Sequence, residues 1–74
     1  MEKSIRTKEY RYFIGKLKKA RIQVGLTQVE VSKKIKRPQS YISKVEAGEQ
    51  RVDIIELKKF AGLYKKDIKY FIKI

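Results

Sequence analysis

The chain has 74 residues, with 20 lysines and arginines against eight aspartates and glutamates, and a formal net charge of +12. This length allows one small domain, and the charge indicates a polyanionic partner: nucleic acid, an anionic membrane surface or an acidic protein. The absence of cysteine and histidine excludes disulfides and removes the usual metal ligands and the commonest general base, so we expect no enzyme and no cofactor or metal site. No apolar run is long enough for a membrane span and no signal segment opens the chain, which predicts a cytoplasmic protein.

The first helix is predicted to begin after Thr7, a residue type that caps helix N-termini. Residues 1–6 carry no clear period and are expected to be flexible, which leaves residues 7–74 as a single domain. Gly25 supplies the left-handed stop at the end of this helix. The apolar face of this first helix consists of residues at helical spacing, namely Phe13, Leu17, Ala20 and Val24.

A second, short helix follows almost at once. Thr27 and Glu30 have the spacing of a capping box, in which each side chain bonds a free backbone N–H of the other residue. Val31 and Ile35 lie four residues apart and are predicted to face inward. The helix ends near Ile35, and the two residues after it make a tight connection.

The third helix is also predicted to be only about two turns long. Pro38 fits its first position, where the missing N–H costs nothing. Ile42 and Val45 form its buried side, and Gly48 ends it. Helices this short are marginal alone in water, so the second and third helices must pack against the first.

Two further helices are predicted towards the end of the chain. Asp53 caps a fourth helix that runs to Tyr64, and Asp67 caps a short fifth helix. The apolar residues of the fifth helix are Ile68, Phe71 and Ile72. No window alternates apolar and polar residues as a strand does, so the expected fold is all-α with five helices.

The second and third helices, with a short turn between them and a longer helix before them, match a helix-turn-helix unit. The segment Gly-Leu-Thr-Gln at residues 25–28, Val31 and Ile35, and residues 38–48 resemble the Cro/repressor-type (XRE, lambda-repressor-like) helix-turn-helix family. The likeness continues through residues 49–53 and 61–64 and covers roughly residues 10–72. It implies a compact five-helix domain that binds double-stranded DNA and regulates transcription.

The resemblance places residues 38–46 in the major groove of DNA as the reading helix. Ile42 and Val45 hold this helix to the body, so the side chains that point away are expected to face base edges. These side chains are Gln39, Ser40, Ser43 and Lys44. Gln39 suits an adenine edge, Lys44 suits guanine, and Tyr41 suits a thymine methyl group or a phosphate. The alternative is an ordinary solvated polar face.

Phosphate contacts are expected from Thr27, Gln28, Arg37 and Arg51. Gln28 begins the second helix, whose free N–H groups and positive dipole end suit a phosphate, and the resemblance implies that it also braces Gln39. For Thr27, a role as the N-cap of the second helix is an equal alternative to a phosphate contact. Arg37 in the turn and Arg51 after the third helix flank the reading face, with simple solvation as the alternative for each.

Arg21 and Glu46 lie beside apolar stripes. The resemblance implies that they form a partly buried salt bridge between the first and third helices, which is a structural role and not a catalytic one. Glu46 is then expected to be the only acid that faces inward.

Three positions depart from the family pattern. Ser32 stands where alanine is usual and is small enough to fit. Lys36 replaces the glycine of the turn, so a residue with a side chain is expected in a left-handed conformation. Lys65 and Lys66 replace a glycine and an apolar residue before the fifth helix, which affects how that helix packs.

Related modules act as dimers on palindromic operators, so a homodimer is expected. The fifth helix, with Tyr70, Phe71, Ile72 and Ile74, is the candidate dimer face, and closure of the core is the alternative role of these residues. The preferred function is a sequence-specific transcriptional regulator, as a repressor or autoregulator, without a small-molecule ligand.

Two other functions are less favoured. An antitoxin-type interaction protein needs a partner-binding tail, for which few residues remain. A membrane-surface binder needs a helix with one basic face, whereas the basic residues here are spread over several helices.

Overall fold

A computed structural model describes residues 7–72, which form four α-helices and one 3-10 helix with no strand among them. The helices are α1 (Lys8–Gln23), α2 (Gln28–Ile35), α3 (Gln39–Glu46), α4 (Ile54–Tyr64) and the 3-10 helix Ile68–Phe71. The predicted all-α class is confirmed for this part of the chain. The predicted flexibility of residues 1–6 and the role given to Ile74 lie outside the described residues.

The prediction of a fifth α-helix is wrong, because residues 68–71 form a 3-10 helix. Asp67 caps it as expected, since its Oδ1 accepts a hydrogen bond from Lys69 N at 2.9 Å. The backbone is already extended at Ile72, with φ −115° and ψ 125°. Ile68 and Phe71 are three residues apart, which suits 3.0 residues per turn as well as 3.6, so their spacing does not distinguish the two helix types.

The predicted caps of α1, α2 and α4 are confirmed. Thr7, Thr27 and Asp53 each accept a side-chain hydrogen bond from the backbone N–H three residues later. Pro38 differs by one position from the expectation: with φ −60° and ψ 151° it is the N-cap of α3, and Gln39 is the first helical residue. The three cap bonds set where α1, α2 and α4 begin, and therefore which side chains stand at those helix ends.

Within residues 7–72, two of the four left-handed helix ends lack glycine. Gly25 (φ 75°) and Gly48 (φ 78°) adopt this conformation freely, whereas Lys36 (φ 60°) and Lys65 (φ 59°) carry a side chain there. The expected left-handed backbone at Lys36 is therefore confirmed. A left-handed residue with a side chain costs about 1–2 kcal/mol, and the hydrogen bond from Arg37 N to Ser32 O, 2.9 Å long, helps to hold the turn.

The core lies where α1 meets the other helices, and the stripe predicted on α1 faces it. Leu17 and Ala20 are buried, and Phe13 and Val24 pack against the buried cluster. The remaining core residues are Val31, Ile35, Ile42, Val45, Leu57, Phe60, Ala61, Tyr64 and Phe71. Helix α3 packs chiefly against α2 and α1. The orientation of α3, and with it the surface that α3 presents, is thus set by this core.

Ser32 is buried as well, where α2 meets its neighbours, and its Oγ donates to Val29 O at 2.7 Å. The hydroxyl is therefore satisfied within α2, and serine fits this position as predicted.

Candidate nucleic-acid interface

The outward face of α3 carries most of the side chains predicted to face base edges. The exposed residues on it are Gln39, Ser40, Ser43 and Lys44. Ile42 and Val45 on the opposite side are only 0% and 1% exposed. Helix α3 therefore turns an apolar side to the core and a polar side to solvent, and contact of that polar side with bases stays a prediction.

An ion pair fastens α3 to α1. Arg21 Nε donates to Glu46 Oε2 at 2.6 Å, and Arg21 Nη2 donates to Glu46 Oε1 at 3.1 Å. The two side chains are only 12% and 6% exposed. The hydrogen bond to Glu46 outweighs burial and raises the pKa of Arg21. The salt bridge expected from the sequence is therefore present, and a third bond, from Arg21 Nη1 to Leu26 O at 2.8 Å, ties it to the start of α2.

The same carboxylate connects this ion pair to the exposed end of α3. Gln28 Nε2 donates to Glu46 Oε1 at 3.0 Å, and Gln39 Nε2 donates to Gln28 Oε1 at 3.1 Å. The brace between Gln28 and Gln39 that the resemblance implies is thus present. We call Arg21, Glu46, Gln28 and Gln39 the polar relay. Through it, the exposed Gln39 amide is held by a charge inside the fold.

Thr27 has the capping role that the sequence left as one of its two alternatives. Its Oγ1 accepts from Glu30 N at 3.1 Å, and Glu30 Oε1 accepts from Thr27 N at 2.8 Å. These bonds, the one from the Thr27 backbone above all, lower the pKa of Glu30. The N–H groups of Gln28 and Val29, which the capping box does not use, have no acceptor within the helix and remain suited to an anion, so a phosphate contact at this end stays a prediction.

Arg37, in the turn before α3, is engaged by side chains of the protein itself. Its Nη2 donates to Glu56 Oε2 at 3.2 Å, and its guanidinium carbon lies 4.5 Å from the centre of the Tyr41 ring, a cation–π contact. Tyr41 is half-buried, and burial raises the pKa of its hydroxyl. The structure thus places Arg37 and Tyr41 on the side of α3 towards α4, and their contacts with DNA stay predictions.

Glu56 is a buried acid that the sequence analysis missed, and the expectation that Glu46 is the only inward acid is wrong. The Glu56 side chain is 8% exposed, and its Oε2 also lies 3.6 Å from Lys59 Nζ. Its buried Oε1 accepts no hydrogen bond from the described residues. The signal was present in the sequence, since Phe60 and Tyr64 follow Glu56 by four and eight residues and share its helical face.

Arg51 is exposed in the loop between α3 and α4. Its carbonyl oxygen accepts from Gln50 Nε2 at 3.2 Å. The next residue, Val52, donates its N–H to the Tyr10 hydroxyl at 3.2 Å, which fixes the loop to α1. Arg51 therefore extends from an anchored part of the loop, and its expected contact with phosphate stays a prediction.

The candidate dimer face at the end of the chain is largely occupied by the fold itself. Phe71 is fully buried, and Tyr70 is half-buried with Lys16 Nζ and Lys66 Nζ at 4.5 Å and 4.6 Å from its ring centre. Phe71 therefore closes the core, which was its alternative role. Ile72, 44% exposed, is the apolar side chain of this segment that remains open in the described residues.

Residues 7–72 contain neither a membrane-spanning helix nor a cluster of side chains that could hold a metal ion. No helix in this range has both the length and the apolar character needed to cross a membrane. The same range contains no group of acidic side chains placed to hold a metal ion.

Comparison with known proteins assigns the family. A helix-turn-helix family model matches residues 17–71, most of the chain, whereas no curated protein matches the sequence. The matched region includes α2, α3 and all four residues of the polar relay. Proteins of this family bind double-stranded DNA and are generally not enzymes. The chain therefore belongs to the XRE-type, lambda-repressor-like helix-turn-helix family of DNA-binding transcription regulators.

Proposed function

We propose that this protein is a sequence-specific repressor that binds a palindromic operator as a homodimer and reads it with α3. The observation that carries the proposal is the polar relay, which holds Gln39 in one orientation on a helix whose outward side is polar. A side chain ordered in advance loses little conformational freedom on binding, so more of its hydrogen-bond energy serves discrimination between bases.

Base edges are assigned to the side chains of α3. Gln39 would bind adenine through its amide, and Lys44 would donate to guanine O6 or N7. Ser40 and Ser43 lie exposed on the same helix and can bond either kind of base. Tyr41 would use the part of its ring that Arg37 leaves uncovered, against a thymine methyl group or a phosphate.

Phosphates are assigned to the residues that flank α3. Thr27 and Gln28 stand at the N-terminus of α2, where the free N–H groups of the helix favour an anion. Arg37 and Arg51 stand before and after α3. The net charge of +12 adds a general attraction that acts through release of the counterions of DNA, so affinity should fall steeply as salt is raised.

Homodimerisation would use exposed apolar side chains, since the core already takes Phe71. Ile54 and Ile55 at the start of α4 are each 57% exposed, and Ile72 is 44% exposed. Sedimentation equilibrium measures the oligomeric state of the free protein and of its complex with a DNA site, and the complex should contain a protein dimer. Ile55→Lys and Ile72→Lys identify which of the two surfaces is used, because a lysine at the contact lowers dimer formation.

Selection of bound sites from a random pool of DNA duplexes tests the proposal. Enrichment of a palindrome, with half-sites about one helical turn apart, supports both sequence-specific reading and a dimer. Enrichment of a single half-site supports sequence-specific reading but overturns the proposed homodimer. No enrichment overturns the proposal and favours the interaction-protein function instead.

A further inference from the structure

Glu56 lies where three parts of the protein meet. It belongs to α4, its Oε2 is 3.2 Å from Nη2 of Arg37 in the turn, and the Arg37 guanidinium covers the ring of Tyr41 in α3. Lys59, one helical turn further along α4, is 3.6 Å from the same carboxylate oxygen. Two side-chain contacts in series therefore connect α4 to the helix that faces DNA.

These contacts span a region where the backbones do not pack closely. Helix α3 packs chiefly on α2 and α1, and α4 is anchored on α1 and the 3-10 helix. Arg37 precedes α3 by two residues and Tyr41 is its third residue, so the cluster holds the N-terminal end of α3 at two points. That end carries Gln39 and Ser40.

Stability alone is a poor explanation for this cluster. The Glu56 side chain is only 8% exposed, whereas its partners Arg37 and Lys59 are 42% and 51% exposed. Its Oε1 is buried and accepts no hydrogen bond from the described residues. Burying a charge that is only partly paired costs much of what the pair contributes, so an apolar residue of similar volume would stabilise the fold at least as well.

We propose that Glu56 is a positioning residue for DNA reading. It holds the Arg37 guanidinium over the Tyr41 ring and so sets the angle at which the N-terminal end of α3 meets a DNA site. Arg37 then acts as part of the framework of α3, in addition to the phosphate contact proposed for it above. The inference rests on the proposed function, because it needs a preferred site for α3 to read.

Glu56→Gln tests the inference by the sign of its effect, because it keeps the shape of the side chain and removes its charge. Loss of one negative charge from a basic protein raises affinity for all DNA. Loss of positioning lowers affinity for the selected site alone. We expect the ratio of specific to non-specific affinity to fall about tenfold, which corresponds to one weakened bidentate base contact. Fluorescence anisotropy with the selected duplex and a scrambled duplex of the same length measures both affinities.

Glu9→Gln is the matched control. Glu9 is an exposed acid in the first turn of α1, so this variant removes the same charge without touching the cluster. Its ratio of specific to non-specific affinity should equal that of the wild type. The inference is overturned if Glu56→Gln changes both affinities by the same factor as Glu9→Gln.

Arg37→Lys decides the matter if Glu56→Gln fails to fold, as judged by its circular dichroism at the assay temperature. Lysine keeps the charge for a phosphate but loses the planar group that lies on Tyr41. A fall in the affinity ratio supports positioning, whereas an unchanged ratio shows a simple phosphate contact and overturns it. Absence of any preferred site for the wild-type protein overturns the proposed function as well, and is seen before any substitution is made.

Discussion

Replacing Glu46 by alanine should destabilise the protein far more than loss of a surface ion pair. The Glu46 carboxylate accepts two hydrogen bonds from Arg21, of 2.6 Å and 3.1 Å, and one from Gln28, of 3.0 Å. Alanine leaves the Arg21 guanidinium, 12% exposed, bonded to Leu26 O but without the Glu46 carboxylate. The cost therefore includes an uncompensated buried charge.

The structure sets the expected magnitude. Removal of one partner from a buried ion pair costs about 3–5 kcal/mol, against about 0–1 kcal/mol for an exposed pair. A domain of 74 residues has a free energy of unfolding of about 4–11 kcal/mol. Glu46→Ala should therefore remove about a quarter or more of the free energy of unfolding. The melting temperature should fall by roughly 12–40 °C, at about 4–8 °C per kcal/mol.

Urea unfolding followed by far-ultraviolet circular dichroism measures this loss. Glu49→Ala is the matched control, because Glu49 is an exposed acid just after α3, and its loss should cost less than about 0.5 kcal/mol. The double variant Arg21→Met with Glu46→Leu should regain most of the stability, since an apolar pair can replace a buried ion pair. Its discrimination between DNA sites should stay impaired, because Gln28 has lost its acceptor.

Two results would contradict this reasoning. The first is a loss of unfolding free energy below about 1 kcal/mol for Glu46→Ala, similar to that for Glu49→Ala. It would mean that water compensates the charge of Arg21 in the variant as well as the Glu46 carboxylate does in the wild type. Full DNA discrimination by the stable double variant would mean that the polar relay plays no part in orienting Gln39.

Four further substitutions probe other features. Lys36→Gly should stabilise the fold by about 0.5–1 kcal/mol in urea unfolding, since relief of left-handed strain exceeds the entropy gained by the unfolded chain. Gln39→Ala should reduce discrimination at one base pair by about 1–3 kcal/mol, whereas Arg51→Ala should weaken all duplexes alike in binding titrations. Burial raises the pKa of the Tyr64 hydroxyl, so above about pH 10 this hydroxyl loses its proton in the unfolded chain before it does in the folded protein, and the free energy of unfolding falls. Tyr64→Phe should make this fall with pH shallower, as measured by urea unfolding.

The starts of α1, α2 and α4 could be predicted well from the sequence because the bonds that set them are local. Thr7, Thr27 and Asp53 each cap a residue three positions later, and such a bond depends on residue type and spacing alone. The buried and exposed sides of α3 could be predicted from a similarly local rule, since Ile42 and Val45 lie three residues apart in a short helix. The pair of Arg21 and Glu46 came from family resemblance, because periodicity does not reveal contacts between residues 25 positions apart.

The remaining features depend on how the helices pack. Arg37 meets Glu56 only because α4 passes beside the turn, and the two residues are 19 positions apart. Tyr41 stands among polar residues in the sequence and becomes half-buried for the same reason. The spacing of two apolar residues does not reveal the helix type at residues 68–71, because that type depends on how Phe71 reaches the core.

The polar relay also gives a fixed direction to the hydrogen bonds between the core and the surface. An ionised carboxylate can only accept, so Gln28 must donate to Glu46 through Nε2, and its Oε1 is turned towards Gln39. Gln39 must then donate in its turn, which leaves it one amide hydrogen and its own Oε1. One donor beside one acceptor is the complement of an adenine edge. A negative charge inside the protein thus selects which groups of the Gln39 amide stay available for the base contact proposed above.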